Sequence, residues 1–105
     1  MKRLLLVSLL LPLAAYATDA DYTLVIKDHR FLPSEITIPS GKKIKLLVDN
    51  QDATPEEFDS YALNREKVIA GNGNAILFIG PLTPGRYTFA GEFHAVTAQG
   101  TIIAK

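Results

Sequence analysis

HRFLPSEITIPSGKKIKLLVDNQD, residues 29–52, is the stretch whose reading decides the fold. Ile36 and Ile38 alternate with polar neighbours, the two-residue period of a strand with one buried face. Pro39 and Gly41 end that run, because proline fixes φ and glycine accepts the left-handed backbone that tight turns use. KKIKLLVDN then alternates at first and becomes more apolar from Leu46 to Val48. Two short β-patterned runs around a Pro/Gly turn predict neighbouring strands, not helix.

The same punctuation continues outward. Upstream, YTLVIKDH (Tyr22 to His29) is rich in β-branched and aromatic residues. Downstream, EEFDSYALN alternates, with Phe58, Ser60 and Ala62 on one face and Glu57, Asp59, Tyr61 and Leu63 on the other. NAILFIG is apolar and bounded by glycine, GRYTFAGEF sets Tyr87 and Phe89 against Arg86, Thr88 and Ala90, and GTIIAK closes the chain. Pro84-Gly85 suits a type II turn ahead of the aromatic run. The pattern predicts an all-β chain, an antiparallel β-sandwich of about six to eight short strands. NREKVIAGNGN, residues 64–74, is compatible with loop, helical turn or strand. Phe31, Phe58, Tyr87 and Phe89 are expected in the core.

The first residues read differently. Lys2 and Arg3 precede an apolar run from Leu4 to Leu11, Pro12 breaks it, and Ala15-Tyr16-Ala17 is a small-x-small cleavage signal. Residues 1–17 are therefore expected to be a secretory leader, and 18–105 the domain. The apolar run is too short to span a bilayer. The expected domain keeps 9 basic and 11 acidic residues, a net charge of −2. That balance carries no basic stripe for nucleic acid, and no amphipathic segment suggests membrane insertion. The chain has no cysteine, so it can hold neither a disulfide nor a thiolate site. It also lacks a Gly-rich phosphate loop, an HExxH pair and a nucleophile elbow.

HRFLPSEITIPSGKKIKLLVDNQD resembles the first half of a cupredoxin: an aromatic, a proline, an alternating strand, a Gly turn and a strand ending in Asn. LTPGRYTFAGEFHAVTAQGTIIAK resembles its C-terminal hairpin. The resemblance implies a Greek-key sandwich over residues 18–105. Within that fold, EEFDSYALNREKVIAGN and AGEFHAVTAQG are similar to cupredoxin-like components of bacterial periplasmic iron-uptake systems. That resemblance implies a periplasmic protein serving a membrane iron permease and other uptake components, and it leaves a homodimer open.

The match breaks at the metal ligands. The resemblance puts the cupredoxin thiolate at about Gly91, the following imidazole at His94, the axial thioether at Ala98, and the first imidazole at Glu56 or Glu57. A blue-copper centre needs the thiolate and both imidazoles, so that chemistry is excluded. What stands there is Glu56, Glu57 and Glu92 with His94. His29 is brought to the same end by the fold that the resemblance implies; Arg65-Glu66-Lys67 reads as a solvated charge run in which Glu66 either reaches the site or pairs with a partner. Carboxylates with imidazole suit iron, manganese, zinc or Cu(II) better than Cu(I), so the expected cofactor is an iron or copper ion. If Glu92-Phe93-His94 is strand, Glu92 and His94 point to one side and Phe93 to the other. The expected activity is metal binding, with an accessory part in ferrous iron oxidation left open. Two alternatives stand beside it: a metal-free interaction domain, and a non-blue copper protein.

Overall fold

The computed structural model describes residues 19–105, and the expected leader, residues 1–17, lies outside the described residues. Nine strands follow one another: β1 Tyr22–Lys27, β2 Arg30–Leu32, β3 Glu35–Ile38, β4 Ile44–Asn50, β5 Glu56–Ser60, β6 Arg65–Ile69, β7 Asn74–Ile79, β8 Gly85–Gly91 and β9 Gln99–Ala104. They form two sheets, ordered β2-β1-β4-β7 and β3-β9-β8-β5-β6. The all-β sandwich is the architecture that the alternation predicts.

The differences lie in detail. The strands number nine because the Tyr22–His29 run ends at Lys27 and a short β2 returns along it, Lys27 facing Arg30. Asp28 and His29 make that two-residue turn, with φ of 53° and 58°. The ambiguous segment contains a strand, Arg65–Ile69, before its glycine-rich turn. EEFDSYALN stays extended only to Ser60. Two neighbouring pairs run parallel, β1 with β4 and β3 with β9, in sheets that are otherwise antiparallel. Sequence alternation reports which face is buried but not strand direction.

The core sits between the sheets. Leu24, Ile26, Leu46 and Val48 from one sheet meet Ile38, Phe58, Phe89 and Ile102 from the other. Phe31, Phe58 and Phe89 form an aromatic knot across the gap. The Phe89 ring stacks on Phe58 and meets Phe31 edge-on, each at 4.9 Å between centroids. Tyr87 is only partly buried at the rim of this core, where its hydroxyl donates to the Thr83 carbonyl oxygen at 2.7 Å. At Gly41, φ is +74°, the left-handed turn position that its glycine predicts.

One end of the sandwich gathers three connections: the β1–β2 turn, the β4–β5 loop and the segment between β8 and β9. Asn50, fully buried at the end of β4, ties the second of them down. Its side-chain amide donates to the Thr54, Ile69 and Ala70 carbonyl oxygens at 2.9, 3.3 and 3.2 Å. Its Oδ1 accepts the Asp52 backbone N–H at 3.0 Å.

Candidate functional site

Glu56 opens β5, and the strand's alternation decides where it goes. Glu56, Phe58 and Ser60 face inward and are buried, while Glu57 and Asp59 face out. The side chain facing inward at the end where the three connections meet is therefore Glu56, 1% exposed. A carboxylate that deep must be partnered, and Glu56 is. Its Oε1 accepts the backbone N–H of Glu57 and of Phe93, each at 2.9 Å. Its Oε2 lies 2.7 Å from Nδ1 of His94. With the carboxylate as acceptor, the His94 proton sits on Nδ1 and the lone pair on Nε2.

His94 is not on a strand. Residues Glu92–His94 form one 3-10 turn, which corrects the expectation that Glu92 and His94 share a strand face opposite Phe93. The cause is local. The buried Oε1 of Glu56 captures the Phe93 N–H, and Gly91 N–H closes back on the Ala98 carbonyl at 2.8 Å. The chain from Gly91 to Ala98 is thus a closed loop, pinned also by Ala98 N–H on the His94 carbonyl at 2.9 Å. Phe93 is half exposed.

Gly91 shows why this loop cannot carry a larger residue. A Cβ there would meet Cδ of Glu56 at 2.6 Å and Cβ of Ala98 at 2.8 Å. The Glu56 carboxylate fills the space into which a side chain at 91 would project. Ala98, at the expected thioether position, is fully buried. The thiolate, the thioether and the room for the thiolate are all missing, so a blue-copper centre does not fit these residues.

His29 reaches the same place. Its ring stacks on that of His94, centroids 3.6 Å apart and planes at 10°. The structure thus brings together Glu56, His94 and His29. Glu57 lies on the outer face of β5, opposite Val68. Glu66 is exposed on β6, opposite Asp59. Glu92 is exposed on the turn. Partial desolvation, then the charges of Glu66, Asp59, Glu92 and Glu56, push the Glu57 carboxyl above its ordinary value. The carboxylates of Glu57, Asp59, Glu66 and Glu92 therefore repel one another on the outer side of β5. Among the described residues, no group of three or more His, Asp or Glu side chains is arranged to hold a metal ion.

Sequence reasoning missed Asp52 and Thr97. Asp52 Oδ1 and Oδ2 accept the backbone N–H of Asp28 and His29 at 2.8 and 2.9 Å. Desolvation raises the Asp52 pKa, but the N–H donors of His29 and Asp28 and the nearby positive groups outweigh it, and the net direction is down. Thr97 Oγ1 donates to the His29 carbonyl oxygen at 2.6 Å. The available signal was Asp52 itself, an acid just after the Asn-ended strand.

Comparison with known proteins agrees with this geometry. The family model of the cupredoxin-like domain matches residues 3–104. An uncharacterised protein of Rickettsia prowazekii (strain Madrid E) is 44% identical over 80 residues, 76% of this chain and 64% of that protein. The chain thus spans a little under two thirds of that relative. Among solved structures, amicyanin from Paracoccus versutus aligns with a TM-score of 0.66 at 17% identity, covering 88% of each chain. The purple cupredoxin from Nitrosopumilus maritimus aligns at 0.61 and 16% identity, over 81% of this chain and 100% of its own. Auracyanin A, a "blue" copper protein from Chloroflexus aurantiacus, aligns at 0.68 and 14% identity, over 79% and 96%. At these identities the solved structures establish the shared fold.

Proposed function

The chain belongs to the cupredoxin-like domain family, and on that premise we propose that it is an exported metal-binding module whose ion-binding group is the His94 imidazole. The observation that carries this reading is the Glu56–His94 pair. A buried carboxylate holding Nδ1 fixes ring and tautomer and leaves Nε2 free, the arrangement that orients metal-bound histidines. An imidazole with oxygen co-ligands suits a ferrous, zinc or cupric ion. When bound, such an ion supplies a Lewis acid or a redox centre at the open end of the sandwich. Around it the chain holds the imidazole in one orientation and sets negative charge beside it.

The service is iron uptake in the periplasm, with a membrane permease and other uptake components as partners. The stretches EEFDSYALNREKVIAGN and AGEFHAVTAQG support this, and so does a donor set without sulfur. Glu56 also favours a second reading, because its carboxylate is already engaged by three donors within the chain. In that reading the domain is a metal-free interaction module.

Titration of the metal-free protein with Fe(II) without oxygen, and with Zn(II), Mn(II) and Cu(II), separates the two. Binding that falls tenfold or more in His94→Ala, with folding kept, is the expected result. No ion bound at any concentration below about a millimolar would leave the interaction module.

A further inference from the structure

We propose that His29 is a positioning residue, which fixes the His94 ring by stacking, and that Asp52 and Thr97 are the clamp that holds it there. The inference rests on the reading of His94 as the ion-binding group.

The starting observation is the backbone. Asp28 and His29 both lie in the left-handed region, at φ of 53° and 58°. Glycine or asparagine suits such a two-residue hairpin turn better. A histidine kept there against its conformational preference points to a use for its side chain. The turn is held from outside. The two carboxylate oxygens of Asp52 take the Asp28 and His29 N–H groups at 2.8 and 2.9 Å. The Thr97 hydroxyl donates to the His29 carbonyl oxygen at 2.6 Å. Asp52 is itself fixed by Asn50 Oδ1, and Thr97 N–H by the His94 carbonyl oxygen at 3.1 Å. His29 is thus clamped at both backbone polar groups by the two other connections of the site.

The stack decides what the ring does. An imidazole lone pair lies in the ring plane. The two planes are nearly parallel, with centroids 3.6 Å apart. An ion midway between them would sit well out of both planes, off both lone pairs, at the ~2.0–2.1 Å that such bonds require. The pair is no chelate. Glu56 holds the edge of the His94 ring and His29 holds its face, so Nε2 has one direction in which to meet an ion.

Calorimetric titration of the protein with Zn(II), together with ¹H NMR of the histidine rings, tests this. In His29→Gly the affinity should fall about tenfold, while the thermal midpoint stays at or above that of wild type, because glycine relieves the left-handed turn. In His29→Phe, which keeps a stacking ring and no donor, affinity should stay close to wild type. In Asp52→Ala affinity should fall about tenfold, and the His94 ring protons should lose the upfield shift that a stacked ring imposes. Equal losses in His29→Phe and His29→Gly would make His29 a ligand and overturn the proposal. Unchanged affinity in His29→Gly and Asp52→Ala, with His94→Ala still losing it, would overturn the positioning role alone. A wild-type protein that takes up no Zn(II), Fe(II), Mn(II) or Cu(II) would overturn the reading of His94 and this inference together.

Discussion

Glu56 occupies a ligand's place and is bonded as a strut. Removing it strands three donors, the N–H groups of Glu57 and Phe93 and the Nδ1 of His94. Glu56→Ala should therefore destabilise the domain by at least about 1–3 kcal/mol, the cost of leaving a buried donor unsatisfied, read by urea unfolding. Gly91 gives a second prediction. Restoring the thiolate with Gly91→Cys should not restore blue copper, because a Cβ at that position would lie 2.6 Å from Glu56. Overpacking should destabilise the variant by about 1–3 kcal/mol, and its Cu(II) form should lack the intense thiolate charge-transfer band. A stable, deeply blue variant would refute the account of Glu56 as the group that fills the space a thiolate at 91 would need. At this scale the sequence showed the losses at Gly91 and Ala98 and the persistence of His94. It left Glu56 and Glu57 undecided, since a one-residue change of register turns every side chain to the other face. The inward period shared with Phe58 and Ser60 is what decides for Glu56.

Between elements, β5 and β6 carry a conflict that the sheet does not resolve. Asp59 faces Glu66 directly and Glu57 lies two residues away on the same face, and opposed like charges weaken a strand pair. Desolvation, then the charges of Glu66, Asp59, Glu92 and Glu56, raise the Glu57 carboxyl above its ordinary value. For a carboxyl raised by folding, the linked stability is fully present below its unfolded pKa. It is lost as pH rises through the higher folded value. Glu57→Gln should therefore raise the thermal midpoint at pH 7 and leave it unchanged at pH 3, where both states of wild type are already protonated. An equal rise at both values would mean that the effect is not electrostatic. The turns were less legible than the strands. Nothing in KDHR announces two left-handed residues without glycine; the fixing partner, Asp52, lies 23 residues from His29. The extended reading of Glu92–His94 fails for the same reason, because the Phe93 N–H bonds to a carboxylate 37 residues earlier. Periodicity reports local patterns, and both turns are set by distant acceptors.

Across the whole molecule, the fold and the site are separable. The sandwich closes on Phe31, Phe58 and Phe89 and on aliphatic residues from both sheets, and Ile38, Phe58 and Phe89 among them were legible in alternating runs. Phe58→Ala should therefore cost about 3–5 kcal/mol with the metal absent or present. The site, in contrast, consists of surface connections around a partly buried imidazole, and the core does not depend on an ion to form. Metal should thus stabilise by mass action alone, as RT ln(1 + [metal]/Kd). With free Zn(II) at a hundred times Kd, the gain is about 2.7 kcal/mol. For a domain of this size each kcal/mol raises the thermal midpoint by roughly 4–8 °C, so a scan against added Zn(II) should show a shift of roughly 10–20 °C. The same scan on His94→Ala should show little or none, because the ion then loses its imidazole while the core is untouched. A protein that melts at the same temperature with and without each candidate ion, at concentrations up to a millimolar, would show that the open end of this sandwich no longer serves metal. A protein that unfolds on chelation would show instead that fold and site are one unit, against the separation argued from the buried aromatic knot.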